Sequence, residues 1–335
     1  MGPGLSNGNP GIPTNLEGVD VVTDIHQVRG ALFGLCTGDA LGLPVQFVPR
    51  ERLRAHPVRG MTGYGTCNKP PGTWSDDSSL TFCLAESLCE GLDLEDIGQR
   101  FVRWVEEGYW SADGRAFDVG RTTLRAVARL KRGVSPYDSG DAGDRSNGNG
   151  SLMRILPLAL YLKALDVEVL LPWVHMVSAI THAHPVSQMA CGIYTVLAIG
   201  LLQGCSPSEA YTSTPGICLD LYDREPYRSY LPRFSRVLNG KIDSLPEEKI
   251  NSSGYVVDTL EAALWCLLRN GSYRDTVLDG VNLGGDTDTI AAVAGGLAGV
   301  HYGLDSIPGK WVRAVARHDE IRLLADRFGA ACDER

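Results

Sequence analysis

The sequence is short of several things, and each absence excludes a class of protein. It has no Cys-x-x-Cys pair: nine cysteines are scattered singly, an odd total that suits free thiols in a reducing cytoplasm and offers no thiolate metal site. Basic residues are not in excess. The 31 Lys and Arg stand against 40 Asp and Glu, a net charge of −9 with a pI near 5.3, the wrong sign for a surface that meets nucleic-acid phosphates. No stretch reaches the roughly 18 uninterrupted apolar residues of a membrane span. The opening MGPGLSNGNPGIPTNLEG has neither the basic start nor the apolar run of a signal peptide. Strand signals are sparse as well. The expectation is a cytoplasmic chain with no nucleic-acid and no membrane partner.

What is present is helical periodicity. Apolar residues recur at helix spacing in Leu80, Leu84 and Leu88, in Phe101, Trp104 and Val105, in Leu124, Val127 and Leu130, and in Leu260, Leu264 and Leu267. Short Gly, Pro and Ser connections at Gly91, Gly133 to Pro136 and Gly204 to Pro207 stop one helix and start the next. The fold class is therefore all-α. At 335 residues, 44% hydrophobic and 21% charged, the chain has ordinary globular usage and is long enough to bury a substantial core. Two irregular intervals stand out, 138 to 151 and about 214 to 254. Were the first a linker, its halves would each carry one acid cluster and share a site only by docking. Residues 26 to 332 are accordingly read as one domain, preceded by a flexible N-terminal arm, 1 to 25, rich in Gly, Pro and Asn.

The acid clusters are the densest chemistry in the chain. Ser75-Asp76-Asp77-Ser78 precedes the stripe of Leu80, Leu84 and Leu88; Asp286-Thr287-Asp288-Thr289 precedes Ile290, Val293, Ala294 and Leu297. One reading is helix capping, since Ser, Thr and Asp accept bonds from free N–H groups at the positive end of a helix. The other is a hard-cation site, because paired acids repel unless something neutralises them, and carboxylate and hydroxyl oxygens without His or Cys are the donors Mg²⁺, Mn²⁺ or Ca²⁺ prefer. Four carboxylates suffice for two ions about 3.5 to 4 Å apart. The clusters alone leave both readings open.

Three further features have a plain and a functional reading. The loop Ser146-Asn147-Gly148-Asn149-Gly150-Ser151 is either a turn or an anion nest of left-handed Gly and Asn backbone ahead of a helix, shaped for a phosphate or diphosphate. His182 closes an apolar helical run, where a histidine can simply bond the last carbonyls. Asp118, taken alone, is a cap for a helix beginning near Thr122.

Together these stretches resemble the ADP-ribosylglycohydrolase family. The matching phrases are GALFGLCTGDALGLPVQF at 30 to 47, GTWSDDSSL at 72 to 80, GYWSADGRAFDVGRTT at 108 to 123, SNGNGSLMR at 146 to 154, THAHP at 181 to 185 and VNLGGDTDTIAAVAGGLAG at 281 to 299, in the family's order. The resemblance implies an all-α fold around a dinuclear centre of two Mg²⁺ or Mn²⁺ in a central cleft, and hydrolysis of the N-glycosidic bond between ADP-ribose and a modified arginine. Carried over by position, Ser75, Asp76, Asp77, Asp286, Asp288 and Thr289 would hold metal. Gln46, Asn147, Gly148, Asn149, Gly150, Ser151, Met153 and His182 would hold ADP-ribose. Asp118 matches an acid near the scissile bond, and Asp77, Asp118 and Asp288 are the candidate catalytic residues. Gln46 departs from the family, which often has Glu there; the amide keeps hydrogen bonding and removes a charge.

An anomeric substitution of this kind passes through an oxocarbenium-like state, which calls for nearby negative oxygens, a polarised water and help for the leaving guanidine. A two-metal phosphoesterase would use the same acids, and a non-catalytic ADP-ribose or partner binder the same cleft. Because some bacterial relatives look like immunity proteins, a cognate ADP-ribosyltransferase toxin, met by residues 1 to 25, is a second expected partner beside the ADP-ribosylated protein.

Overall fold

The computed structural model describes residues 24–333, and every described element is a helix. In chain order they are α1 (Ile25–Gly42), α2 (Arg50–Ala55), α3 (Asp76–Glu90), α4 (Leu94–Glu107), α5 (Arg121–Leu130), α6 (Leu156–Tyr161) and α7 (Val167–Ala179). They continue with α8 (Pro185–Leu202), α9 (Pro207–Tyr222), α10 (Val256–Arg269), α11 (Tyr273–Asn282), α12 (Thr287–Tyr302), α13 (Gly309–Ala314) and α14 (His318–Asp333). Short 3₁₀ turns fill several connections.

The pair α1 and α12 organises the rest, and glycine is the reason. A Cβ on Gly30 would lie 2.2 Å from the Gly299 carbonyl, on Gly34 2.4 Å from that of Gly295, on Gly38 2.1 Å from that of Ala291, and on Gly42 2.4 Å from the Cα of Asp288. Glycines at i, i+4, i+8 and i+12 make one bare stripe, so two antiparallel helices meet backbone to backbone. This contact carries the end of α1 to the start of α12. Around the pair, the stripes of α3, α4 and α10 bury Leu80, Leu84, Leu88, Phe101, Trp104, Leu260, Leu264 and Leu267 as expected. α8 is long and apolar enough to cross a membrane by length and composition alone, with a mean hydropathy of 1.6; 78% of it is buried here, packed against α7 and α9.

Four stretches with a local reading can be compared. In α5 Val127 and Leu130 are buried as read, together with Thr123 and Ala126, while Leu124 is 42% exposed, so Thr123 takes the place expected for Leu124. The interval from 214 is helical as far as Tyr222: Ser206 and Glu209 form a capping box, Pro207 starts the helix and Pro215 is accommodated inside it. The stretch 138 to 151 is not a loose connection, because Asp141 binds Arg125 and Arg129 at 2.6 Å each and exchanges backbone bonds with Thr181 and Ala183. The arm expected over 1 to 25 lies outside the described residues up to 23. Asp24 is the N-cap of α1, accepting from the His26 N–H at 2.8 Å, and Ile25 already belongs to the helix.

Candidate active site

The first turns of α3 and α12 meet. Thr289 Oγ1 donates to Asp77 Oδ2 at 3.4 Å across 212 residues of sequence, and Ser75 Oγ donates to the same oxygen at 2.8 Å. Asp76, Asp77, Asp286 and Asp288 are all buried. Capping does not explain four acids: Ser75 alone caps α3, accepting from the Asp77 N–H, and Asp286 sits at the N-cap position of α12 without any side-chain cap bond.

One ligand-capable oxygen from each of Asp39, Asp77 and Asp288 falls within 4.8 Å of the others. Among the described residues, Asp288 Oδ1 and Oδ2 and Asp77 Oδ1 have no hydrogen-bond partner at all. Burial, then the charge of Asp39 and Asp286, pushes Asp77 well up; burial, then Asp286 and Asp77, does the same to Asp288. Bare, mutually repelling, dehydrated oxygens are the donor set of a hard divalent cation, so the residues present fit a metal ion. Asp39 plays a different part. Its oxygens already accept from the Ser75 N–H (2.9 Å), the Ser78 N–H (3.1 Å) and Ser78 Oγ (2.6 Å), which ties the start of α3 to α1. It is absent from the ligand set read from sequence, although the Gly30, Gly34, Gly38, Gly42 spacing marks α1 as a helix in intimate contact.

Beside the cluster opens a cavity of ≈ 690 Å³. Asp76, Asp286 and Thr289 line its buried end. Gly148, Asn149, Gly150, Met153 and His182 form a wall, with Gln46 and Asp118 also on the lining. Asp77, Asp288 and Ser75 stand behind the lining. So do two of the expected ADP-ribose contacts: Asn147 turns its side chain to the Asp144 carbonyl, and Ser151 is buried against Ser178.

Of the two readings of the loop, turn or anion nest, the nest is not formed. No residue from 146 to 151 has a positive φ, and the Asn149 N–H is spent on the Gly254 carbonyl at 3.1 Å. Nor does the loop feed a helix directly: a 3₁₀ turn at Asn149–Ser151 comes first and α6 starts at Leu156. The loop serves close approach instead. A Cβ on Gly150 would sit 2.8 Å from His182 Cε1, and Asn149 Nδ2 donates to Asp286 Oδ2 at 2.6 Å, so the wall braces a floor acid. His182 bonds Thr181 Oγ1 through Nδ1 at 2.8 Å; burial, with the charge of Arg154 second, lowers it to about 3 and keeps it neutral.

Asp118 is no cap. Gly120 occupies the N-cap of α5, and Asp118 adopts a left-handed φ of 59° that turns its carboxylate to the Gln46 amide, which donates at 2.6 Å. Lys69 fixes the segment before it, pairing with Asp113 at 2.6 Å and lying 4.4 Å from the centre of the Phe117 ring. Sequence reading also missed the cavity's outer lining, where exposed Phe47 (φ 61°) stands with Arg121, Arg125 and Arg145. Two arginines on the exposed face of α5, one in a loop and one loop aromatic are too scattered in sequence to leave a pattern.

An all-helical body whose cleft ends in a buried, cation-seeking acid cluster delimits the class: a helical fold with a candidate metal centre. The ADP-ribosylglycohydrolase family description matches residues 21–335, and the chain belongs to that family. It is 33% identical over 308 residues to the ADP-ribosylarginine hydrolase Tri1 of Serratia proteamaculans (strain 568), covering 91% of this chain and 79% of that one. Against the ADP-ribosyl-[dinitrogen reductase] glycohydrolase of Rhodospirillum rubrum it is 33% identical over 292 residues, covering 84% and 88%. A solved ADP-ribosylglycohydrolase-related protein complex superposes with a TM-score of 0.74 at 35% identity, over 92% of this chain and 99% of the other.

Proposed function

We propose that the protein removes ADP-ribose from modified arginine side chains, hydrolysing the N-glycosidic bond and so reversing mono-ADP-ribosylation. The observation that carries this reading is the convergence of two distant acid clusters at the buried end of a cavity that also holds Asp118 and Gln46. Relatives named for arginine and dinitrogen reductase support the substrate class.

Ser75, Asp76, Asp77, Asp286, Asp288 and Thr289 would hold two Mg²⁺ or Mn²⁺, which supply alignment of the ribose hydroxyls and polarisation of water. Asp118 faces the guanidinium: the Gln46 amide now occupying Oδ2 is the donor a substrate guanidinium replaces, after which Asp118 orients the leaving group and passes it the proton taken from the attacking water as the C–O bond forms and the C–N bond breaks. Asp77 and Asp288, backed by Ser75 and Thr289, set the electrostatics under the ribose, where positive charge develops. Neutral His182 and the backbone of Gly148 to Gly150 bind the ligand along the wall. Nine unpaired cysteines support a reducing, cytoplasmic setting. On the same reading a cognate ADP-ribosyltransferase is a partner of residues 1–25, and unchanged binding of such an enzyme after their deletion removes that part.

The test is incubation with arginine-, serine- and cysteine-linked ADP-ribose, with and without divalent metal. Metal-dependent release of free ADP-ribose from the arginine conjugate, abolished in Asp288→Ala, is expected. AMP as the product indicates a phosphoesterase instead, and binding of ADP-ribose without turnover a non-catalytic member.

A further inference from the structure

Arg154 is fully buried, at 0% exposure, four residues beyond Gly150, and among the described residues no carboxylate pairs with it. Its Nη1 donates to the Gly150 carbonyl and its Nη2 to the Val177 carbonyl at 3.2 Å. Nε has no partner, and the guanidinium lies 4.8 Å from the centre of the Phe101 ring. Arginines this deep ordinarily pair with an acid, since an isolated charge in low dielectric is costly. Here dipoles take that place: Val177 lies in the last turn of α7, the negative end of the helix, and the Phe101 face adds to it. Dipoles make the cation tolerable without cancelling it. Burial lowers Arg154 only to about 10, so it stays charged at neutral pH. Two groups that sense its field, Asp76 and His182, both line the cavity.

Resting on the function proposed above, the cavity must take a doubly anionic diphosphate close to clustered carboxylates in a chain of net charge −9. We infer that Arg154 is a fixed internal counter-charge that acts through the wall of Gly150, Met153 and His182, favouring the diphosphate of an ADP-ribosyl ligand on that wall and opposing divalent cations at Asp76 and its neighbours. The two effects have opposite signs, which a merely structural brace cannot produce.

The experiment compares Arg154→Met, which keeps bulk and loses charge, with Arg154→Lys, which keeps charge and loses the planar fork. Free ADP-ribose is titrated calorimetrically at saturating Mn²⁺, and Mn²⁺ is titrated into the ligand-free protein. Arg154→Met is expected to weaken ADP-ribose about tenfold or more and to tighten Mn²⁺ about threefold or more, whereas Arg154→Lys leaves both within about threefold. Parallel weakening of both ligands in Arg154→Met, or no change in either, overturns the inference. Should Arg154→Met fail to fold by circular dichroism, Arg154→Lys decides: retained affinity for both upholds the counter-charge and joint loss overturns it. A wild-type protein that neither binds ADP-ribose nor releases it from arginine sinks the proposed function instead, a failure recognisable on its own while the Mn²⁺ titration still reads the charge.

Discussion

The two acid clusters look alike in sequence, yet the molecule holds them in different ways. At α3 the helix start is fastened sideways: Ser75 caps it, and Asp39 from α1 takes the Ser75 and Ser78 N–H groups and the Ser78 hydroxyl. At α12 the cap position has no side-chain cap bond; the turn is fixed by backbone contact with α1 through Gly42, by Thr287 Oγ1 donating to the Gly42 carbonyl at 2.8 Å, and by Asn149 gripping Asp286. The same residues, Asp with Ser or Thr, therefore perform local capping in one place and leave it undone in the other. Satisfying a helix end and presenting oxygens to a cation are separate tasks that compete for the same atoms.

That contrast can be broken in order of expected size. Gly38→Ala drives a Cβ to 2.1 Å from the Ala291 carbonyl and must part α1 from α12, dismantling both clusters; a loss of about 3 kcal/mol or more, read by chemical denaturation, is expected. Second, pH separates protons from metal as the neutralising agent. Burial raises Asp39 from 3.8 to about 6, and Asp76, Asp77, Asp286 and Asp288 are raised too. An acid whose folded value lies above its unfolded one binds more protons when folded, so its stabilisation is complete below the unfolded value and is lost as pH rises through the folded value. Chelator-treated protein should be more stable at pH 5.5 than at pH 8, by about 1 kcal/mol from Asp39 alone, with the full ~3 kcal/mol reached only below its unfolded value of 3.8, and Mn²⁺ should stabilise it far more at pH 8. Third, Asn149→Ala removes the donor from Asp286 and should weaken Mn²⁺ binding by about tenfold in a direct titration while α3 is untouched. The smallest effect separates cap from site: Ser206→Ala, in the capping box of α9, should cost about 1 kcal/mol in a melt and leave ADP-ribose release unchanged. Ser75→Ala should cost a similar amount and also impair release.

What was legible in the chain was whatever is periodic or contiguous. The helical class, the stripes of α3, α4 and α10, and the two acid clusters follow from spacing alone. Asp39 was not legible as part of the centre, because its partners Ser75 and Ser78 lie 36 and 39 residues away and only the glycine stripe brings them near. The Asn–Gly loop shows a different failure. Its composition permits left-handed backbone, but pairing with Gly254 and Val256 drew Asn147 to Asn149 into an extended bridge, and Gly150 was needed for room beside His182. Asp118 reads as a cap by type and position; a left-handed φ at 118, invisible in sequence, hands its carboxylate to Gln46.

The bare stripe of α1 also limits how the chain can be lengthened. Insertions in surface connections leave the centre where it is, but one extra residue between Gly30 and Asp39 would rotate everything after it by about 100° and advance it about 1.5 Å. Side chains would then meet the α12 backbone where glycine stood, and Asp39 would swing away from Ser75. Every acid would still be encoded, and the centre would no longer assemble; the helix works as a keyed shaft whose teeth are missing side chains.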